Sequence, residues 1–214
     1  MGERVRAARA VVYDFDGTLV DSNLIKWRAF ETCFAEHGAQ REAILAYCRG
    51  HHHVPRGDKF RHVVEGILGR PYTAEMAADL HARFAAATTG AIVTATEIPG
   101  AARFVRAVAR RGPTALLSST PHDVLLYIVG ARGWAGDFTV IRGAPVDKAA
   151  WLAKFREGHG LDGDGLVFFG DTPEDAGAAE RAGCGFVGVA NLELAAAGAP
   201  FVPDFLGLLR GEDG

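Results

Sequence analysis

Short apolar runs recur along the chain, and three of them stop abruptly at polar residues: Asp14, Ser118 and the pair Gly170-Asp171. A short apolar run of this kind is typical of a buried central strand whose carboxyl end opens onto a site. The predicted central strands are residues 9–13 (RAVVY), 113–117 (PTALL), 165–169 (GLVFF) and 185–190 (GFVGVA), with residues 137–141 (DFTVI) as a shorter edge strand.

Stretches with helical periodicity alternate with these runs, at residues 101–111, 121–131, 148–157 and 173–182. Alternating strands and helices indicate βαβ units. The predicted fold class is therefore α/β, with a Rossmann-like, doubly wound parallel sheet. Ligands of such sheets bind beyond the carboxyl ends of the strands, which is where the polar strand ends would gather.

Residues 22–96 interrupt the alternation because they read almost entirely as helix. The predicted helices are 22–37, 41–49, 57–68 and 73–88. We expect an inserted all-helical cap domain over residues 22–96, packed as a small bundle, and a catalytic core formed by residues 1–21 and 97–214. Residues 97–100 (EIPG) are expected to be the hinge that returns the chain to the core.

Composition and charge restrict the partners. Of 214 residues, 49% are hydrophobic and 23% charged, as in an ordinary globular protein, and the net charge is −3. This charge favours neither a nucleic acid nor an anionic membrane as partner, and no apolar run reaches the ~18 residues of a membrane span. The three cysteines are widely spaced, which predicts reduced thiols in a cytoplasmic protein.

Asp14 and Asp16 stand two residues apart at a strand end, in the sequence DFDGTL. Alternate residues of a strand share a face, so both carboxylates can face one side. One can act as a nucleophile and the other as a general acid and base if Mg²⁺, which prefers oxygen ligands, relieves their repulsion. The alternatives are a solvated turn or a calcium loop, although residues 19–26 lack the further acidic ligands of an EF-hand.

Asp171 ends the third apolar run, in the sequence GDTPED, and can reach the same edge of the sheet as Asp14. We predict that it is a metal ligand. Thr172, Pro173 and Asp175 also match the start of a helix, with Thr172 as N-cap and Asp175 as the acid of a capping box. Asp175 is therefore open to two interpretations, a helix cap and a site residue.

Ser118, Ser119 and Thr120 follow the second run and repeat this pattern, with Thr120 as the expected N-cap of the next helix. A helix N-terminus attracts phosphate, so the Ser118 hydroxyl and the Ser119 backbone N–H are candidate phosphate donors, although a plain serine-rich turn is the alternative. Lys148 opens a later helical stretch, where the helix dipole disfavours a cation. A phosphoryl oxygen or the Asp14 carboxylate would explain its position.

Taken in order, DFDGTL, a helical insert, a strand ending in serine, an isolated lysine and GDTPED resemble the haloacid dehalogenase superfamily of phosphohydrolases. The resemblance extends from about residue 11 to 189, and the branch it suggests is that of the phosphoglycolate phosphatases and β-phosphoglucomutases. It implies that Asp14 is the nucleophile that becomes an aspartyl-phosphate. Asp16 would protonate the leaving alcohol and then activate water.

The resemblance also implies the binding residues. Ser118 and Lys148 would hold the phosphoryl oxygens. Mg²⁺ would be bound by Asp14, the Asp16 carbonyl and Asp171, with Asp175 supporting the metal shell. Dehalogenases and phosphonatases of this superfamily lack the carboxylate at the position of Asp16, so dehalogenation is not expected.

The insert resembles the family's cap, which selects the substrate. Within residues 51–59 (HHHVPRGDK), His52, Arg56 and Lys59 are candidate contacts to a second polar group of the substrate, and a surface loop is the alternative. The expected substrate is a small phosphorylated metabolite, either a sugar phosphate or a phosphoglycolate-like acid. A phosphomutase of the same superfamily and a non-catalytic binding protein are the competing functions, and the sequence does not indicate an oligomeric state.

Overall fold

A computed structural model of the chain describes residues 2–51 and 54–210. Its centre is a six-stranded sheet in the order β3-β2-β1-β4-β5-β6, in which all neighbouring strands run parallel. The strands are β1 (Ala10–Tyr13), β2 (Thr114–Pro121), β3 (Val140–Ala144), β4 (Leu166–Gly170), β5 (Gly185–Val189) and β6 (Phe201–Val202). The predicted α/β class with a doubly wound parallel sheet is confirmed.

The helices flank this sheet or lie in the insert between β1 and β2. They are α1 (Gly2–Ala7), α2 (Asn23–Cys33), α3 (Arg41–Gly50), α4 (Arg56–His62), α5 (Ala74–Thr94), α6 (Ala101–Ala109), α7 (His122–Ala131), α8 (Lys148–Gly158), α9 (Pro173–Ala182), α10 (Leu192–Ala196) and α11 (Leu206–Leu209). A π-helical segment, Val63–Ile67, continues α4, and short 3-10 turns span Gly38–Gln40 and Ala135–Asp137. None of the helices in the two described ranges has the length and apolar character needed to cross a membrane.

The two faces of β1 are buried in different clusters because successive side chains of a strand alternate. Val12 packs with Leu152 of α8 and Ala179 of α9. On the other face, Tyr13 stacks on Phe169 with ring centroids 5.4 Å apart, and Phe104 of α6 meets the Tyr13 ring edge-on at 6.4 Å. Burial on both faces explains why this strand is apolar throughout and why its first polar residue marks its end.

Two strands differ by more than one residue from their predicted limits. β2 continues to Pro121, because Pro121 still pairs with Ala144 across a register irregularity in the ladder to β3. The edge strand is Val140–Ala144, since residues 135–137 form a 3-10 turn before it. The predicted start of this strand at residue 137 is therefore wrong.

The predicted N-cap at Thr120 is also wrong. α7 begins at His122 with Pro121 in the N-cap position, and this position makes no side-chain capping hydrogen bond. Thr120 lies within β2, in the segment between Leu117 and Pro121 where the register to β3 shifts, so it belongs to the strand and does not open a helix. By contrast, the capping box predicted at Thr172 and Asp175 is present at the start of α9.

The chain divides into two compact units, Met1–Asp21 with Ala95–Gly214, and Ser22–Thr94. The second unit is helical and has its own aromatic core, in which Phe30 lies 5.5 Å from Phe60 and 5.0 Å from Phe84, centroid to centroid. In the first unit, the two segments that flank the insert are hydrogen-bonded to each other. The Asp21 N–H donates to the Thr96 carbonyl, and the Ile98 N–H donates to the Leu19 carbonyl, each at 2.9 Å.

Candidate active site

Asp14 and Asp16 lie directly after β1, on a turn that the sequence forms locally. The Asp14 N–H donates to the Phe169 carbonyl at 2.8 Å, which continues the pairing with β4 beyond the last residue of β1. Gly17 then adopts a φ of 78°, a left-handed conformation that glycine takes without a steric penalty. Both carboxylates are buried, with residue exposures of 6% and 7%.

Asp171 and Asp175 reach the site from the turn between β4 and α9. The Thr172 hydroxyl donates to Asp175 Oδ2 at 2.6 Å, and the Asp175 N–H donates back to that hydroxyl oxygen at 3.2 Å. Gly170 makes this turn possible, since a Cβ there would lie 2.5 Å from the Asp175 Cβ. Asp175 therefore has both predicted roles, because the hydrogen bonds that cap the N-terminus of α9 also direct its side chain into the site.

Lys148, the first residue of α8, joins two of these carboxylates. Its Nζ lies 2.7 Å from Asp175 Oδ1 and 3.1 Å from Asp14 Oδ1. Asp147 caps the helix by accepting from the Ala150 N–H, so the lysine starts the helix without having to cap it. Its partners, including Asp14 as the sequence suggested, offset the unfavourable helix dipole.

The carboxylates of Asp14, Asp171 and Asp175 form a compact acidic cluster, with one oxygen of each lying within 4.8 Å of the others. The Thr18 hydroxyl donates to Asp171 Oδ1 at 3.3 Å and is itself fully buried. Oxygen ligands in such a cluster are those that Mg²⁺ prefers.

The charges in this site do not balance. Burial raises the pKa of Asp14 to about 6, the Lys148 ammonium opposes the increase, and the carboxylates of Asp175 and Asp16 reinforce it. Burial lowers the pKa of Lys148, but the Asp14 and Asp175 carboxylates outweigh this and raise it above its ordinary value, so the lysine is charged. Within the described part of the chain, the Lys148 ammonium therefore faces several buried carboxylates, and this excess of negative charge favours a further cation.

Ser118 lies beside Asp16, with its Oγ 3.5 Å from Asp16 Oδ2. Ser119 is exposed, so the structure does not bring its side chain to the carboxylates. Thr120 does reach the site, because its hydroxyl donates to Asp16 Oδ2 at 2.8 Å. Neither Thr120 nor Thr18 was predicted from the sequence as a site residue. The alternation of β2 was the available signal for Thr120, since residues two apart share a face.

Arg56 and Lys59 belong to the helical unit, where both cations lie against aromatic rings. The Arg56 guanidinium carbon is 4.7 Å from the Phe84 centroid, and Lys59 Nζ is 5.4 Å from the Phe30 centroid. Lys59 is buried, and burial lowers the pKa of Arg56. His52, the third candidate in this segment, lies outside the described residues.

Comparison with known proteins agrees with the resemblance seen in the motifs. A family model described as haloacid dehalogenase-like hydrolase matches residues 11–180. The phosphoglycolate phosphatase of Yersinia pseudotuberculosis is 26% identical over 199 residues, covering 87% of this chain and 82% of the relative.

Solved structures share the fold. A predicted phosphoglycolate phosphatase from Haemophilus somnus has a TM-score of 0.74 at 20% identity, covering 95% of this chain and 97% of its own. CbbY from Rhodobacter sphaeroides in complex with phosphate has a TM-score of 0.73 at 19% identity, covering 97% of this chain and 100% of its own. The family match covers most of the chain and includes every motif from Asp14 to Asp175, so the protein belongs to the haloacid dehalogenase-like hydrolase family.

Proposed function

We propose that this protein is a Mg²⁺-dependent phosphatase that hydrolyses a small phosphorylated metabolite through an aspartyl-phosphate on Asp14. The observation that carries the proposal is the convergence of Asp14, Asp171, Asp175 and Lys148 beyond the carboxyl ends of neighbouring strands. Positioning and charge neutralisation supply most of the catalysis in phosphoryl transfer, and this arrangement provides both.

The donor set fits a magnesium ion. Asp14 Oδ1 is buried and, among the described residues, accepts no well-directed hydrogen bond, although Lys148 Nζ lies 3.1 Å away. Asp175 has both oxygens engaged, Oδ1 by Lys148 and Oδ2 by Thr172. We therefore assign Asp14, Asp171 and the Asp16 carbonyl as ligands, with Asp175 supporting them. Mg²⁺ there would neutralise negative charge on the carboxylates and the phosphoryl group.

The reaction would take place in two transfers. A carboxylate oxygen of Asp14 bonds to phosphorus while the ester P–O bond breaks, and the leaving oxygen takes a proton from the Asp16 carboxyl. Water then attacks phosphorus, gives its proton to the Asp16 carboxylate, and the bond to Asp14 breaks to release phosphate. Ser118 and Lys148 would hold the phosphoryl oxygens during both transfers.

The substrate class we propose is a phosphomonoester of a small acid or sugar. The phosphoglycolate phosphatase relative acts on a substrate of this kind by name, and a solved CbbY structure contains xylulose-1,5-bisphosphate. Arg56 and Lys59, held against the aromatic core of the helical unit, are the cations we assign to the second polar group of such a substrate.

Phosphate release from a panel of phosphorylated metabolites, with and without Mg²⁺, tests the function. We expect turnover of at least one small acid or sugar phosphate in Mg²⁺, its loss on chelation, and a phosphoryl group on Asp14 in acid-quenched samples that alkali or hydroxylamine removes. Asp14→Asn should abolish both signals, whereas Asp164→Asn, at an exposed surface carboxylate, should leave them unchanged.

Two results would contradict the proposal. Normal turnover by Asp14→Asn would exclude the aspartyl-phosphate. Conversion of a sugar phosphate to its isomer without stoichiometric free phosphate would identify the phosphomutase reaction instead.

A further inference from the structure

The Thr120 hydroxyl lies closer to the Asp16 carboxylate than the Ser118 hydroxyl does. Thr120 Oγ1 donates to Asp16 Oδ2 at 2.8 Å, and Ser118 Oγ lies 3.5 Å from the same oxygen. Both threonine and aspartate are at least nine-tenths buried. A hydrogen bond from a neutral hydroxyl to a buried carboxylate holds the acceptor in one orientation, because leaving either buried group unpaired is unfavourable.

The backbone of Thr120 is fixed on two sides, so its hydroxyl has a defined direction. Its N–H donates to Ser118 Oγ at 3.0 Å. On the other side β3 approaches so closely that a Cβ on Gly143 would lie 2.5 Å from the Thr120 carbonyl oxygen. The glycine thus permits a contact that holds the end of β2 in place.

Capping of the following helix does not explain the hydroxyl. α7 begins two residues later, and the N-cap position belongs to Pro121. A threonine at the end of a strand could be replaced by valine without loss to the strand, since both are β-branched. What valine cannot supply is the hydrogen bond to Asp16.

We propose that Thr120 is a positioning residue for Asp16, which orients the carboxyl for proton transfer to the leaving oxygen. The inference rests on the proposed function. In the first transfer the ester P–O bond breaks, the bond from Asp14 to phosphorus forms, and the Asp16 proton passes to the departing alkoxide. An alkyl alcohol needs that proton, whereas a nitrophenolate leaves as a stable anion without it.

The test is the dependence of kcat/KM on the leaving group, because kcat/KM reports the transfer to Asp14. Thr120→Val should lower kcat/KM about 100-fold for an alkyl phosphate, the size of effect expected when a catalytic group is misplaced. For 4-nitrophenyl phosphate the loss should stay within about threefold, since general acid catalysis is not required there. Thr120→Ser, which keeps the hydroxyl, should restore most of the alkyl phosphate activity.

Thr114→Val is the matched control. Thr114 lies on the same strand, is buried, and donates through its hydroxyl to the Asp137 carbonyl at 2.8 Å, away from the carboxylates. We expect it to affect both substrates equally. If Thr120→Val lowers the melting temperature, Thr120→Ala provides the same comparison without placing a second methyl group beside the Asp16 carboxylate.

An equal loss for both leaving groups in Thr120→Val and Thr120→Ala would overturn the inference, as would failure of Thr120→Ser to recover. A wild-type protein that hydrolyses no monoester would instead contradict the proposed function. If the wild type is active and the variants keep its leaving-group dependence, only the inference about Thr120 is refuted and the proposed function stands.

Discussion

Asp14 has an unusual environment for a carboxylate, because it is buried beside the carboxylates of Asp16, Asp171 and Asp175 and the Lys148 ammonium. Burial is the main reason that its pKa rises to about 6, and Lys148, which opposes the rise, does not cancel it. A carboxyl group whose pKa is higher in the folded than in the unfolded state destabilises the fold at every pH at which it is ionised. The destabilisation is fully present above about pH 6 and is absent once the unfolded carboxyl is also protonated, near pH 4.

Asp14→Asn should therefore stabilise the metal-free protein at neutral and higher pH. We expect the free energy of unfolding at about pH 8 to rise by about 1–3 kcal/mol, the linkage equivalent of the pKa increase. The difference should shrink as the pH falls below about 6. Urea unfolding in a chelator at several pH values measures this, with Asp164→Asn as the exposed control. A variant no more stable than wild type at high pH would contradict the prediction.

Arg56 and Lys59 lie with their charged groups against aromatic rings in the helical unit. A role as ordinary surface charges does not explain this position for either residue. Our assignment of both to substrate binding predicts a specific kinetic change. Arg56→Met and Lys59→Met, which keep apolar bulk, should each raise KM about tenfold or more, the value of a charge-assisted hydrogen bond. kcat should change little.

The control for these variants is Arg61→Met, on the same helix. Arg61 is exposed, pairs with Glu65 four residues later, and lies 4.9 Å from the Tyr72 ring centroid. It has the same charge and a similar aromatic contact, so a KM increase in all three variants would indicate a general loss of positive charge and refute the specific assignment.

At the scale of elements, the turn from β4 into α9 combines a structural role and a chemical one. The capping box fixes the helix start, and the same hydrogen bonds aim Asp175 at Lys148. Gly170 is required because Asp175 Cβ and Cγ occupy the space that a side chain would need, at 2.5 and 2.8 Å from a Cβ.

Gly170→Ala should consequently destabilise the protein by about 1–3 kcal/mol, as overpacking does in a well-packed interior. It should also weaken Mg²⁺ binding, since Asp175 must move. Gly130→Ala is the control, because Gly130 is exposed on α7 with no atom within 4 Å of the added Cβ, and it should be neutral or stabilising by up to ~1 kcal/mol. Calorimetric titration with Mg²⁺ and urea unfolding measure both effects. Equal behaviour of the two variants would disprove the steric explanation.

At the scale of the whole molecule, the chain leaves the core after Asp21 and returns at Ala95, yet the sheet pairs strands from both sides of this insert. β1 precedes the insert and lies between β2 and β4, which follow it. The acidic cluster likewise combines Asp14 with two residues more than 150 positions later, all within the core unit.

Hydrogen exchange should reveal this division when Mg²⁺ is added to the full-length protein. We expect slower exchange around residues 14–21 and 170–175, because metal binding stabilises the folded state locally and opposes local opening. α5, which lies in the helical unit, should exchange at the same rate with and without the ion. Equal slowing in α5 and in the strand ends would contradict a metal site built from core residues alone.

Much of the fold was predictable because its signals are local. Apolar runs that end at Asp14 and Asp171 identify buried parallel strands, and the order of the motifs identifies the family, so the predicted family, fold class and enzyme class are confirmed. The end of β2 and the start of β3 were misplaced because pairing between them, including Pro121 with Ala144, depends on the register of two separate segments. Strand propensity within either segment does not contain that information.

Residue order alone was enough to identify the chemical groups of this protein: which carboxylates follow strands, which lysine opens a helix, and which threonine caps α9. The folded arrangement was needed to show that Lys148 joins Asp14 to Asp175 and that the Thr120 hydroxyl donates to Asp16 instead of capping α7. The physical reason is the range of each interaction. Capping and periodicity act between neighbours in the chain, whereas the contact from Thr120 to Asp16 spans 104 residues and exists only once strand order and register have placed two strand ends side by side.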